Sequence, residues 1–160
     1  ASDVYKRQAH YTCIEAGCEH QYELTLCANE VHIAVVGDTN RECTMYHNKK
    51  GYTKGASLFN KTDYSDKRQM ETLSSIVGKN TTYDFIKQDV QGAELLIMDG
   101  SPEIFKRAKY VILEVQVNEQ KNVDEYMLQL GFKHNKIIPK ENSTIEFDKI
   151  YWNNHTEKST

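Results

Sequence analysis

Apolar and polar positions follow one another along this chain in a way that predicts a succession of strands and helices. Apolar runs of strand length lie at residues 11–14, 31–36 and 110–117. The last run is interrupted only by Glu114 and Gln116, which is typical of a strand covered on both faces. Weaker strand patterns lie at residues 42–47, 68–73 and 83–88.

Helix patterns lie between these strands. The four-residue recurrence of Cys18, Tyr22 and Leu26 predicts a helix that turns an apolar face to the core. Further helices are predicted at residues 92–100 and 122–130, where apolar positions share one face and a glycine marks the end. The side chains expected to begin or end helices are those of Asn29, Ser101 and Asn122.

The remaining segments complete a prediction of the fold. Residues 49–66 are rich in Gly, Lys, Asn and Ser and predict a long loop. Residues 132–139 and 144–152 predict two strands joined by a polar turn, which is an antiparallel hairpin. The order of elements therefore predicts an α/β fold: an open, mostly parallel, doubly wound sheet with helices on both faces and an antiparallel C-terminal hairpin.

Composition fits a single globular domain. The chain has 160 residues, 39% of them hydrophobic, which is enough to bury a substantial core. Residues 1–8, ASDVYKRQ, resemble a translated sequencing adapter, so we expect them to be non-native and exclude them from the fold. We assign residues 9–153 to the domain and residues 154–160 to a C-terminal tail.

Charge and cysteine content narrow the class of partner. The net charge is -3 without a sustained basic block, which argues against nucleic acid. No apolar run reaches the about 18 residues that span a bilayer, so no membrane partner is expected. The four cysteines form no C-x-x-C pair and follow no secretory leader, which predicts reduced, packed thiols, no metal and a cytoplasmic location. The oligomeric state stays open.

Polar residues at strand ends are the first candidates for a site, because open α/β sheets bind ligands beyond the carboxyl ends of their strands. Glu15 follows the first strand, where a carboxylate can accept hydrogen bonds from both hydroxyls of a ribose, or can simply begin a helix. Asp38 follows Gly37, where it can bond an adenine amino group or favour the turn.

A second pair of acids brackets the segment DVQGAE. Asp89 follows the strand at residues 83–88, and Glu94 lies in the first turn of the next helix. Gly92 between them permits close approach of a ligand to the backbone. One interpretation is that both carboxylates converge on a cleft. The other is that Asp89 caps the helix and Glu94 favours its N-terminus through the helix dipole.

Several motifs together resemble the FkbM-type methyltransferases. The segment IKQDVQGAE at residues 86–94 is similar to the I-K-x-D-V-E-G-A-E hallmark of that family. Further similarities follow in the family's order: IEA at residues 14–16, AVVGD at 34–38, GASL at 55–58, VILEV at 111–115, LGF at 130–132 and FDKIY at 147–151. The resemblance covers nearly all of residues 11–153.

The resemblance implies a class I, Rossmann-like domain that transfers the methyl group of S-adenosylmethionine to a hydroxyl of a sugar or related metabolite. It places Glu15 at the cofactor ribose and Asp38 near the adenine. Candidates for the base or for acceptor positioning are Asp89, Glu94 and Gln116. Ser57, in the loop similar to the family's G-x-S-L, and Glu114 are candidates for acceptor binding.

Three departures from the family pattern leave alternatives open. Gln91 replaces the family's usual Glu, Ser74 stands where the family has Asp, and Gln116 occupies a position often held by His. The first strand and Gly-rich loop, which cradle the methionine part of the cofactor, are expected before Tyr11 and are lacking here. The alternatives are a non-catalytic α/β interaction module and another Rossmann-type enzyme with a nucleotide cofactor.

Overall fold

The computed structural model describes residues 9–18, 21–48, 56–140 and 143–153. Nine strands and five helices occur within these residues. They are β1 (Thr12–Glu15), α1 (Gln21–Cys27), β2 (Glu30–Ile33), β3 (Val35–Gly37), β4 (Arg41–His47), β5 (Tyr64–Thr72), α2 (Leu73–Val77), β6 (Phe85–Gln88), α3 (Glu94–Gly100), α4 (Pro102–Arg107), β7 (Tyr110–Gln116), α5 (Gln120–Gln129), β8 (His134–Pro139) and β9 (Glu146–Trp152).

The strands form three sheets, ordered β1-β2, β3-β5-β4 and β6-β7-β9-β8. Parallel pairs join β1 to β2, β3 to β5 and β6 to β7, while β4/β5, β7/β9 and β8/β9 are antiparallel. The α/β class and the C-terminal hairpin are confirmed. The prediction of a mostly parallel sheet is wrong for the described strands, because β4 and the hairpin contribute as many antiparallel pairs as the rest contributes parallel ones.

The run at residues 31–36 is two strands rather than one. Strand β2 pairs with β1 as far as Glu15, and the Ala34 amide then donates to the Glu15 carbonyl at 3.0 Å. Beyond that point β1 offers no further partner, and Val35 begins β3 by pairing with Met70 of β5. Strand β5 starts at Tyr64, so the predicted loop ends earlier than residue 66; its residues 49–55 lie outside the described part of the chain.

The larger core lies between β6, β7 and β9 and the helices that cover them. Its sixteen buried members include Met98, Ile104, Phe105 and Met127, all fully buried. Helix α5 contributes Val123 and Met127, as its apolar stripe predicts. A smaller core of Val35, Met45 and Met70 lies in the β3-β5-β4 sheet.

Two predicted helix caps, Asn122 and Ser101, are wrong. Helix α5 begins at Gln120 behind Glu119, not at Asn122, whose side-chain amide instead donates to Glu119 Oε2 at 3.0 Å. Helix α4 begins with Pro102, but the Ser101 side chain does not cap it. The fully buried Ser101 hydroxyl accepts a hydrogen bond from the Ser74 amide at 2.9 Å and thereby joins α2 to the start of α4.

The prediction for the first helix is wrong in its orientation. Helix α1 forms, but it has no buried residue, and Tyr22 and Leu26 are 73% and 72% exposed. Cys18 and Cys27 are also exposed, contrary to the expectation of packed thiols. The reason is that α1 packs beside the narrow two-stranded sheet β1-β2, which offers too little surface to bury its apolar stripe.

A cavity of about 170 Å³ separates β1 from β6. Within the described residues, each of these strands is paired along one edge only. Residues 85–88 all line the cavity, and because side chains alternate along a strand, four consecutive lining residues mean that the backbone edge of β6 faces it. The Gln88 side chain is 5% exposed, and its Oε1 has no hydrogen-bond donor. No described helix is long and apolar enough to cross a membrane.

Candidate functional site

Two carboxylates lie side by side where β6 ends next to β7: Asp89 follows the last residue of β6, and Glu114 lies within β7, two residues before its end. The parallel register pairs Gln88 with Leu113, so Asp89 and Glu114 are the next residues on neighbouring strands. The Gln91 side-chain amide donates to both of them, at 3.4 Å from Asp89 Oδ1 and 3.4 Å from Glu114 Oε2. The alternative role of Asp89 as a helix cap is excluded, because α3 begins behind Ala93 and has no side-chain cap.

The contact between Asp89 and Glu114 raises the pKa of one carboxyl group and lowers that of the other. The hydrogen bond with Asp89, together with burial, raises the pKa of Glu114 to about 7. The same hydrogen bond lowers the pKa of Asp89. Because negative charge on both neighbouring carboxyl groups is unfavourable, the pair retains one proton into the neutral range. One carboxyl group of the pair therefore has its pKa close to neutral pH.

Lys140 is the counter-charge of this pair. Its Nζ donates to Glu114 Oε1 and lies 3.9 Å from Asp148 Oδ1. The pairing of β9 with β7 sets Asp148 opposite Glu114, which brings the hairpin to the site. Glu114 is 8% exposed, so its charge depends on this ammonium. Sequence reasoning missed Lys140 because it lies 26 residues after Glu114 and only the hairpin register joins them.

Glu94 lies at the start of α3 with its carboxylate turned to its own loop. Its Oε1 accepts hydrogen bonds from the amides of Val90 and Gly92, both at 3.4 Å. The loop needs Gly92 at φ 92° and places Gln91 at φ 53°. Burial raises the pKa of Glu94. The interpretation in which Glu94 stabilises its own helix start is therefore supported, and Glu94 acts as the support of the loop that carries Gln91.

Gln116 ends β7 and is exposed. It joins Glu94 and Glu114 in the lining of a small cavity of about 50 Å³ between the loop before α3 and the start of α5. Four of the predicted residues are thus brought together: Asp89, Glu94, Glu114 and Gln116. Among the described residues, no group of three or more His, Cys, Asp or Glu side chains could hold a metal ion.

The predicted cofactor residues occupy the other sheets. Glu15 ends β1, and its Oε1 accepts from the Gly17 amide at 2.9 Å. Asp38 follows β3, where a hydrogen bond from Arg41 lowers its pKa and keeps it ionised. Gly100, the last residue of α3, packs tightly against this turn, because a Cβ atom at position 100 would lie 2.3 Å from the Gly37 carbonyl oxygen. Both residues remain at strand ends, as the sequence predicts.

Ser57 is buried on the β4 side of the protein. Its amide and carbonyl pair with the backbone of Tyr46 at 3.0 and 2.9 Å. Its hydroxyl accepts from the amides of Phe59 and Asn60 at 3.1 and 3.2 Å. Within the described residues, no hydrogen bond joins Ser57 to Asp89 or Glu114. The acceptor-side role of Ser57 stays a prediction.

The site defines this chain as an α/β protein whose polar groups gather at the ends of its parallel strands, where this class binds ligands. A family model, the methyltransferase FkbM domain, matches residues 4–134. The chain therefore belongs to the FkbM methyltransferase family, as its motifs predict. Neither the curated proteins nor the solved structures yield a match to this chain.

Proposed function

We propose that this protein transfers the methyl group of S-adenosylmethionine to a hydroxyl of a sugar or related small metabolite. The observation that carries the proposal is the Asp89–Glu114 pair, at the end of β6 and near the end of β7, which combines an exposed carboxylate with one that titrates near neutral pH. Membership in the FkbM methyltransferase family supports the reaction class. The four free thiols, two exposed and two partly buried, agree with a cytoplasmic setting.

Glu15 and Asp38 suit the nucleoside part of the cofactor. One oxygen of Glu15 accepts a hydrogen bond from the Gly17 amide, and its other oxygen has no hydrogen bond in the described part of the chain, so it can accept from a ribose hydroxyl. Asp38 is held ionised by Arg41 and can accept from the adenine amino group. The cofactor, once bound, supplies the electrophilic methyl group.

The acid pair, Asp89 and Glu114, accepts the hydroxyl proton of the acceptor. Asp89 is 50% exposed and can accept the hydrogen bond of an incoming hydroxyl. With the cofactor bound, the methyl group would leave the sulfonium sulfur for the acceptor oxygen, and S-adenosylhomocysteine would be the leaving group. The Asp89–Glu114 pair, in which the pKa of Glu114 is about 7, would take up the hydroxyl proton. Lys140 offsets the negative charge of the fully ionised pair. Gln91 fixes the distance between the carboxyl groups.

The rate of methyl transfer tests this role. We expect transfer from S-adenosylmethionine to a panel of sugars to rise with pH and to level off above about pH 7, where the pair is ionised. Glu114→Gln should remove this dependence and lower the rate about 100-fold, whereas Glu125→Gln on the exposed side of α5 should change neither. A pH profile unchanged in Glu114→Gln would show that the pair is not the base. No heat with S-adenosylhomocysteine and no transfer to any acceptor would favour the non-catalytic alternative.

We also propose that the sheets belong to one doubly wound, Rossmann-like sheet that takes a further strand between β1 and β6. The two unpaired edges, the cavity between them and the buried Gln88 oxygen support this arrangement. A protein that includes the residues encoded upstream of Ala9 should exchange the amides of residues 85–88 more slowly. Equal exchange with and without that segment would remove the support. The outer edge of β8 serves as the internal control.

A further inference from the structure

The β4–β5 ribbon carries a chain of three polar side chains, one buried and two partly exposed, that no part of the proposed reaction uses. His47 ends β4 and is 6% exposed, and its Nε2 is hydrogen-bonded to Asp66 Oδ1 of β5. The second carboxylate oxygen of Asp66 accepts from Arg68 Nε. The antiparallel register sets Asp66 opposite Met45 and Arg68 opposite Cys43, so all three polar residues project from the same face of the ribbon.

The chain of contacts continues to the segment that holds Glu15. Arg68 Nη1 donates to the Ala16 carbonyl at 3.4 Å, across a sequence separation of 52 residues. Ala16 directly follows Glu15, and the adjacent Gly17 amide is the donor to Glu15 Oε1. Arg68 therefore holds the turn whose amide orients the Glu15 carboxylate.

The other end of the chain reaches the segment that holds Ser57. The backbone of Tyr46, the neighbour of His47, pairs on both sides with Ser57. The His47 carbonyl in turn accepts from the Thr62 hydroxyl at 2.6 Å. Hydrogen bonds thus link His47, Asp66 and Arg68 to the turn after Glu15, and Tyr46, the chain neighbour of His47, pairs with Ser57.

Asp66 is the centre of this set, because both its partners are donors and both its oxygens are used. Burial opposes its ionisation, but the hydrogen bonds from His47 and Arg68 outweigh that effect and lower the pKa of Asp66. Arg68 has a side chain that is 32% exposed, so without the carboxylate its guanidinium is free to leave Ala16 for solvent.

We propose that Asp66 is a positioning residue for cofactor binding, which aligns Arg68 on the Ala16 carbonyl and so fixes the orientation of Glu15. The inference rests on the proposed role of Glu15 at the ribose and deepens it. His47 supports Asp66 from the Ser57 side, so the acceptor segment and the cofactor segment share one anchor.

The test uses Asp66→Asn, which keeps the size of the side chain. Its NH₂ group would face either His47 or Arg68, both of which donate to Asp66, so one of the two hydrogen bonds would be lost. The matched control is Glu42→Gln, which removes a carboxylate from the same ribbon, where it pairs with Lys67 at 2.9 Å in an exposed position. Arg68→Lys is the second variant, because it keeps the positive charge but loses the planar fork.

Two measurements on each protein decide the proposal. In ¹H–¹⁵N spectra, Asp66→Asn and Arg68→Lys should shift and broaden the Gly17 amide signal, and Glu42→Gln should leave it unchanged. In calorimetry with S-adenosylhomocysteine, the first two variants should bind about tenfold more weakly, as expected for the loss of one hydrogen bond to a charged group.

The outcomes separate the inference from the proposed function. A Gly17 signal that responds equally to Asp66→Asn and to Glu42→Gln overturns the inference, even if Asp66→Asn lowers the melting temperature. If the unsubstituted protein binds no S-adenosylhomocysteine, the proposed function fails, and the Gly17 signal alone still decides whether Asp66 orients the turn.

Discussion

Replacing Glu114 by glutamine should change how the stability of this protein depends on pH. Glu114 titrates at about 7 in the folded protein, against an ordinary value of 4.5. Between these two pH values the folded state binds a proton that the unfolded state has lost. The contribution of Glu114 to stability is therefore fully present below about pH 4.5 and is lost as the pH rises through 7.

The magnitude follows from the same pKa values. The rise of the Glu114 pKa from 4.5 to about 7 corresponds to about 3 kcal/mol, at about 1.36 kcal/mol per pKa unit. The partner carboxylate of Asp89 is 50% exposed, and solvent screens its interaction with Glu114. We therefore expect a change of about 1 to 2 kcal/mol in the free energy of unfolding between pH 5 and pH 8.

Urea denaturation followed by the fluorescence of Trp152 measures this change at pH 5, 6, 7 and 8. Glutamine mimics the protonated form of Glu114 and does not titrate, so the variant should gain stability relative to the unsubstituted protein as the pH rises. Glu125→Gln, whose carboxylate is 61% exposed, is the control. Parallel stability curves for Glu114→Gln and the unsubstituted protein, or a difference of opposite sign, would refute the shared proton.

Three further substitutions test other parts of the structure. Lys140→Gln removes the cation that lowers the pKa of Glu114, so NMR titration of the Glu114 carboxyl should give a midpoint above 7. Gly100→Ala should destabilise the fold by about 1 to 3 kcal/mol in urea denaturation, because its methyl group would meet the Gly37 carbonyl at 2.3 Å. Lys149→Met should cost about 2 kcal/mol in the same assay, because it removes the ammonium that contacts the Asp124 carboxylate at 2.7 Å and leaves the Tyr151 hydroxyl as the remaining donor to that carboxylate among the described residues; no loss would show that the pair is dispensable.

Local chemistry made much of the fold predictable from the sequence. The apolar run of β7, the stripe of α5 and the hairpin β8-β9 depend on periodicities that tertiary structure did not override. The break at Ala34 was not predictable, because it depends on where β1 ends rather than on residues 31–36 themselves. Likewise the stripe of α1 signals a helix correctly, but what covers that stripe is a property of the neighbouring sheet.

Some residues of the candidate site could be predicted from the sequence, and others could not. Asp89 was predictable as a strand end, since open α/β sheets bind ligands beyond the carboxyl ends of their strands, whereas Glu114 was a candidate only through the resemblance of residues 111–115 to the family motif. Lys140 and Asp66 were not predictable, because each belongs to an antiparallel addition whose register no local signal reveals. The pKa of Glu114 could not be predicted from the sequence, because it depends on contacts that form only in the folded chain.

The unequal sizes of the two cores have a consequence for local unfolding. The larger core has sixteen buried members, and the one formed by Val35, Met45 and Met70 has three. Amides of the β3-β5-β4 sheet should therefore exchange with solvent through partial openings at a lower free energy than those of β7. Because the smaller core packs against Ala16, beside Glu15, a ligand held there would close these openings as it binds. Binding at this end would thus be coupled to the ordering of a sheet, while the acid pair stays on the rigid part of the molecule.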